Sequence, residues 1–309
     1  MNNRQLSVLA ILALTWGCSF LFIRVIVDAG VGPMGMASLR TLLGGISLLP
    51  LALASRRNLR QPRSTWIAFA GLGLMNFAVP WTIFGIVGSR IPSGVSSIAN
   101  STAPLWVALL SVPLLHEERI RGGRAVGLAL GFFGVVLLMG EDLAHLQGSS
   151  PGSIALVLLA TLFYGASSVY IRRYMGHVPP VILAMGQMSF AALYLAPLAL
   201  VTGSYGGDWD PNVVASILAL GLLGSGVAVA AYMWLIQQAG AVSASLVTYL
   251  IPPVGILAGW LAFDEHIGWN ILAGLASILA GVAFVQGIPQ RRTTVPESPP
   301  ALSHPAGGE

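Results

Sequence analysis

Residues 104–120 read PLWVALLSVPLLHEERI, and residues 252–267 read PPVGILAGWLAFDEHI. Pro104 falls on Pro252 and Glu117 on Glu265 at an offset of 148. After one extra residue in the first copy the offset becomes 147, and Ile120, Gly127 and Gly134 fall on Ile267, Gly274 and Gly281. Working outward, Trp16-Gly17-Cys18-Ser19 matches Tyr164-Gly165-Ala166-Ser167 at 148, which also carries Arg24 onto Arg172. At 147, Arg40 falls on Gln187 and Pro50 on Pro197. Single matches of this kind are weak. An offset this constant along so much of the chain marks an internal duplication.

The two copies are written in the language of a bilayer. Of the 309 residues, 55% are hydrophobic and 8% charged, against roughly 25% charged in soluble domains. Apolar runs of about 20 residues, the length that crosses a hydrocarbon core, recur from Leu6 almost to Gly287. They divide into ten spans, roughly 6–28, 33–54, 65–89, 93–115, 124–140, 152–172, 179–202, 212–237, 241–262 and 268–287. No period-two alternation marks a membrane β-barrel. In lipid the spans must be helices to satisfy their own backbone groups. The first run is longer than a signal-peptide core of about 7–15 residues and is read as a retained helix. The expected fold is an all-α integral membrane protein of ten transmembrane helices. Each copy holds five, an odd number, so the second is inserted upside down. Residues 1–140 form the first repeat and 141–288 the second; 289–309, rich in Pro, Ser and Gly, form a disordered cytoplasmic tail.

All 15 basic residues are Arg. With the amino terminus inside, Arg4, Arg56, Arg57, Arg60, Arg63, Arg119, Arg121, Arg124, Arg172, Arg173, Arg291 and Arg292 share that side, and Arg90 stands alone opposite. The positive-inside rule therefore places both termini in the cytoplasm. Positive charge in short connections is a topology signal, so no nucleic-acid partner is expected. Cys18, the single cysteine, cannot form an internal disulfide and reads as a small apolar packing residue.

Trp16-Gly17, Arg40, the run from Pro104 to Glu117 leading into Arg119-Ile120, and its echo from Pro252 to Glu265 together resemble the drug/metabolite transporter superfamily, in its ten-helix EamA-type branch. The likeness covers residues 6 to 287. It implies two five-helix EamA-type repeats around a central cavity and alternating access in the cytoplasmic (inner) membrane. The resemblance implies secondary transport of a small metabolite, exported or imported, with amino acids, nucleobases and sugar phosphates among the family's cargoes. The placement of charge along the chain narrows the expected cargo to an amino acid or other anionic or zwitterionic solute, and the chain is expected to act as an exporter and as a monomer. A multidrug efflux protein of the same fold, or a non-transporting receptor or scaffold, is the alternative. An enzyme would need a nucleophile with a base, or a metal cluster. Every Asp, Glu and His lies in a connection, at a span end or in the tail, so neither catalysis, a metal nor a cofactor is expected.

That distribution throws weight on Arg40, about seven residues into the second span and ~10 Å deep at 1.5 Å per residue. An intramembrane cation should face a cavity or a partner. One reading makes it a bidentate clamp for a carboxylate or phosphate; the other caps it with backbone carbonyls or lets it reach up to the interface. Gln187, its repeat mate, either supplies a neutral hydrogen bond to cargo or bridges helices. Arg24, four residues before Asp28, is placed for a local ion pair. Pro104, Pro252 and Pro253 interrupt helices at matched positions, as helices beside transporter sites do, and would free carbonyls near Asn100 and Thr248. Trp16, Asn76, Trp81, Asn100, Ser101, Tyr164, Tyr232, Ser245, Thr248 and Tyr249 complete the candidate substrate-binding set, with helix–helix hydrogen bonding the competing role. Glu117 and Glu265, at helix junctions, are candidate hinge or gating residues with the three prolines.

Overall fold

A computed structural model describes residues 1–54, 60–87, 99–115, 122–138, 151–254 and 269–286. Among them every regular element is helical: α1 (Asn3–Asp28), α2 (Pro33–Ala54), α3 (Arg63–Val87), α4 (Ala103–Leu114), α5 (Gly122–Leu138), α6 (Pro151–Tyr174), α7 (Pro180–Val201), α8 (Pro211–Ala239), α9 (Ala241–Val254) and α10 (Trp269–Gln286). Five of these, α2, α3, α6, α7 and α8, are both long and apolar enough to cross a membrane. The helices α4, α5, α9 and α10 contain shorter apolar segments.

Local chemistry sets the ends. Asn2 caps α1 through a reciprocal box, its side chain accepting from the Gln5 amide at 2.9 Å while Gln5 accepts from the Asn2 amide at 2.8 Å. Proline opens α2, α6, α7 and α8, where its missing N–H costs nothing. Asp210 adds a side-chain cap to the α8 amides of Asn212 and Val213. Gly240, at φ 90°, ends α8 and turns the chain straight into α9, in a region of backbone space that side chains resist.

Lipid supplies no hydrophobic drive between helices, so close contact depends on small residues. The tightest case is α5 on α10. A Cβ on Gly281 would lie 2.5 Å from the Gly131 amide and 2.6 Å from the Gly127 carbonyl; the two backbones touch. Large apolar side chains such as Ile11, Ile67, Leu193 and Leu272 point outward, which in a bilayer is the solvated face. The halves interleave rather than sit side by side. Helix α2 packs on α7 and α8, α3 on α6 and α7, α1 on α8, and α4 on α6 and α9.

The two ends of the bundle differ. At one, Arg4 lies over the Trp234 ring at 5.0 Å, Arg172 donates to the Gln237 carbonyl and Arg173 to the Leu114 carbonyl. At the other, the turn after α1 meets the turn after α7, with the Gly32 amide donating to Ser204 and the Asp208 amide to Ala29, both at 2.9 Å.

An interruption falls shortly before the prolines in each of the two helices. A turn at Ser101–Thr102 already breaks the chain, and Pro104 sits in the first turn of α4. The Ala99 carbonyl is taken by the Thr102 amide and hydroxyl, and Thr102 also meets Thr161 of α6 at 3.0 Å. In α9 the turn falls at Leu246, before Pro252 and Pro253. Helices α3 and α8 carry an interruption without sequence warning: π-helical segments at Leu74–Ala78 and Ala219–Val227, a form often found at functional sites. Glu117 and Glu265 lie outside the described residues, as does the side chain of Arg24.

Candidate functional site

Arg40 is 9% exposed. Its guanidinium carbon lies 4.0 Å from the centroid of the Trp81 ring, a cation–π arrangement that gains strength where water is absent. Its Nε donates to the Ser225 hydroxyl at 3.3 Å. Among the described residues the Nη nitrogens donate to nothing. A guanidinium carries five N–H donors, so four of them are left over. No acidic side chain lies in the interior of a described span, so a carboxylate does not neutralise this cation from within the membrane. The carbonyl-capped arrangement considered for Arg40 is not the one present; an aromatic ring and a hydroxyl hold it.

The aromatic candidates gather around it. Tyr164 lies within electrostatic range of the Arg40 charge. It stacks on Phe84 with centroids 6.3 Å apart, while Phe77 meets Trp81 edge-on at 5.0 Å. On the far side Trp16 meets Tyr232 edge-on at 5.3 Å. The Trp16 indole donates to the Gly224 carbonyl at 2.9 Å, within the π-helical segment of α8. The Tyr232 hydroxyl pairs with Ser168 at 3.4 Å. Trp81 of α3 thus lies directly on the cation with Tyr164 of α6 in its electrostatic range, and Trp16 of α1 pairs with Tyr232 of α8 while bonding the carbonyl next to Ser225, the cation's hydroxyl partner.

Gln187 and Asn76 bond to each other. The Asn76 amide donates to Gln187 Oε1 at 2.7 Å, and Gln187 Nε2 donates to the Leu183 carbonyl at 3.0 Å. A weaker contact of 3.6 Å reaches the Met233 sulfur. Gln187 is 0% exposed, and this geometry is the helix-bridging one. The remaining candidates sit elsewhere. Ser245 and Thr248 bond carbonyls of their own helix. Tyr249 crosses to α5, donating to the Leu128 carbonyl at 3.0 Å. Ser101 is buried and Asn100 half-buried at the break before α4. Sequence reasoning missed Ser225, Ser168, Phe77 and Phe84. Ser225 is the polar residue of the α8 π-segment that answers Asn76 in α3, at an offset of 149 that lies outside the 147 and 148 of the matched repeat positions.

A partly open trough of about 400 Å³ lies between α4 and α5, walled by Leu105, Leu109, Leu128 and Phe132. It offers no polar group to orient a solute and lies away from Arg40.

Helices of this apolarity, closed around a cation and an aromatic cluster, define a multi-pass membrane protein. The chain belongs to the EamA-like transporter family, whose model matches it twice, over residues 4–140 and 152–286; the family lies in the drug/metabolite transporter superfamily. It is 29% identical over 271 residues to YedA, an uncharacterized inner membrane transporter of Escherichia coli, covering 84% of each chain. It is 24% identical to YoaV, an uncharacterized transporter of Bacillus subtilis, covering 87% of this chain and 92% of that one. An uncharacterized transporter of Archaeoglobus fulgidus is 27% identical over 90% of this chain and 97% of its own length. A solved crystal structure superposes with a TM-score of 0.78 at 20% identity, over 94% of this chain and 100% of that one. The fold is therefore shared well beyond sequence likeness.

Proposed function

We propose that the chain is a secondary transporter that carries a small carboxylate-bearing or zwitterionic metabolite across the inner membrane by alternating access. It works as a monomeric exporter with ten transmembrane helices and both termini in the cytoplasm. The observation that carries this reading is Arg40: a buried cation with no acidic partner among the described residues, whose Nη donors are unspent there beside the Trp81 ring. An incoming anion would offset its desolvation, and the rings would pack the apolar part of the cargo.

The inverted duplication is supported by which helices touch. The contacts of α1 on α8 and α2 on α8 have counterparts in α6 on α3 and α7 on α3, while α2–α7, α4–α9 and α5–α10 pair repeat mates. The two family matches of similar length support the same division. In membrane transporters built this way the site lies near the midplane between repeats; Arg40 on α2, a helix that packs on its repeat mate α7, is in keeping with such a site.

The test is transport in proteoliposomes loaded with amino acids, organic acids or nucleobases, with and without a pH gradient, and with cargo offered from either side. A carboxylate-bearing solute should move. Arg40→Lys, which keeps charge but loses the fork, should weaken its transport markedly, and Arg40→Ala should nearly abolish it in a folded protein. Transport of such a solute by Arg40→Ala at the wild-type rate would overturn the reading.

A further inference from the structure

The duplication sets up a comparison between two braces. In each half, a polar residue about a third of the way along the second helix reaches to the π-helical segment of the other half. Gln187 of α7 meets Asn76 at 2.7 Å, and Arg40 of α2 meets Ser225 at 3.3 Å. The first brace is filled, because Gln187 spends its oxygen on Asn76 and its amide on Leu183. The second is half used. Ser225 takes the Nε corner of the guanidinium and Trp81 covers one face, which leaves the end-on edge carrying both Nη nitrogens.

Ser225 is itself fixed. It is 0% exposed and stands between Gly224 and Gly226. A Cβ on Gly226 would fall 1.9 Å from the Ser47 hydroxyl and 2.9 Å from the Gly44 carbonyl. The α2 backbone is thus pressed onto this segment, and Ser225 has little room to follow a moving arginine.

Resting on the reading of Arg40 given above, we infer that Ser225 is a positioning residue that presents the end-on Nη edge of Arg40 to a single carboxylate. The two Nη donors match the two oxygens of that group. One cation neutralises one charge. Among the described side chains no second cation reaches the cluster, so the second charge of a dianionic phosphate or phosphonate would be buried unpaired, at a steep desolvation cost. The selected cargo is monoanionic at this end.

Binding by the full chain in lipid nanodiscs tests this by titration calorimetry, with benzoate and phenylphosphonate, at a pH where the latter is dianionic, as probes. Wild type should bind benzoate saturably and phenylphosphonate at least about tenfold more weakly. Ser225→Ala should weaken benzoate about tenfold, the scale of one hydrogen bond to a charged group, and narrow the gap between probes as the guanidinium swings free. Ser225→Thr, which restores the hydroxyl but adds a methyl group to a fully buried site, should bind benzoate more tightly than Ser225→Ala. A merely structural serine would not move the ratio between probes. If Ser225→Ala matches wild type on both probes while Arg40→Ala loses benzoate, the positioning role is wrong and the Arg40 reading stands. If wild type binds phenylphosphonate as tightly as benzoate, or binds no benzoate, the carboxylate edge is wrong. Benzoate bound equally by Arg40→Ala would overturn both.

Discussion

The Asn76–Gln187 bond offers a measurement that separates helix bracing from cargo binding. Replacing Gln187 by Leu, of similar volume, strands the Asn76 amide that now donates at 2.7 Å, in a site where Gln187 is 0% and Asn76 7% exposed. An orphaned buried donor costs about 1–3 kcal/mol. Interhelical bonds measured in membranes average about 0.6 and reach about 1.7 kcal/mol, because the unfolded state in lipid also finds partners. The expected loss is therefore about 1–2 kcal/mol for Gln187→Leu, and similar for Asn76→Leu, which strands the Gln187 oxygen. The double variant orphans neither group and should be more stable than the sum of the singles predicts, by about 1 kcal/mol. Steric-trapping unfolding in bicelles reads all four corners of the cycle. Single losses that add to within about 0.3–0.5 kcal/mol would mean the two side chains are not coupled, and the bracing argument would fall. The same four proteins belong in the transport assay. On the bracing view the double variant keeps its transport while Arg40→Ala loses it.

Three further outcomes are expected. Gly281→Ala puts a Cβ against the α5 backbone, 2.5 Å from the Gly131 amide, and should cost about 1–3 kcal/mol by overpacking. Gly71→Ala, with nothing within 4 Å, should be neutral or stabilising by up to about 1 kcal/mol; thermal unfolding in detergent compares the two. Tyr249→Phe loses the bond to the Leu128 carbonyl and should cost about 1 kcal/mol with transport unchanged, so a change in cargo KM would return Tyr249 to the site. A reporter fused after Gln286 should be active only in the cytoplasm, as the arginine distribution requires; activity outside the cell would reverse the topology.

The spans were legible because lipid leaves the backbone one choice: a segment of this apolarity must close its own hydrogen bonds, and helix is the result. Arg40 was legible for a related reason, since a cation in the middle of such a segment cannot be neutral background. The duplication added the pairing of Arg40 with Gln187, which the structure places on the adjoining helices α2 and α7. What stayed hidden was the local winding. A π-helical segment has no composition of its own, and the one in α8 is longer than the one in α3, Ala219–Val227 against Leu74–Ala78. The repeat offset therefore slips from 147 at Arg40 and Gln187 to 149 at Asn76 and Ser225. A search at constant offset passes over Ser225, a small residue among glycines. Polar residues near mid-span were ambiguous for a different reason. Ser245, Thr248 and Tyr249 look on paper like Tyr164 and Tyr232, yet they spend their hydroxyls on backbone carbonyls, a distinction that only geometry draws.

The difference between the braces bears on why a nearly symmetric fold would hold one site rather than two. A ligand shifts a conformational equilibrium only by its differential affinity for the states, and it gains most where donors have been left without acceptors. At Gln187 the oxygen already has the Asn76 amide and the amide already has the Leu183 carbonyl; an arriving solute would have to displace partners as good as itself. At Arg40 the ring of Trp81 and the hydroxyl of Ser225 occupy a face and a corner, and on the proposed reading the Nη donors gain their acceptor when an anion arrives. Exchanging glutamine for arginine at one of two equivalent positions therefore turns a permanent strut into a group whose energy depends on cargo. On the proposed mechanism, that substitution gives the rocking of two related halves a reason to depend on what lies between them.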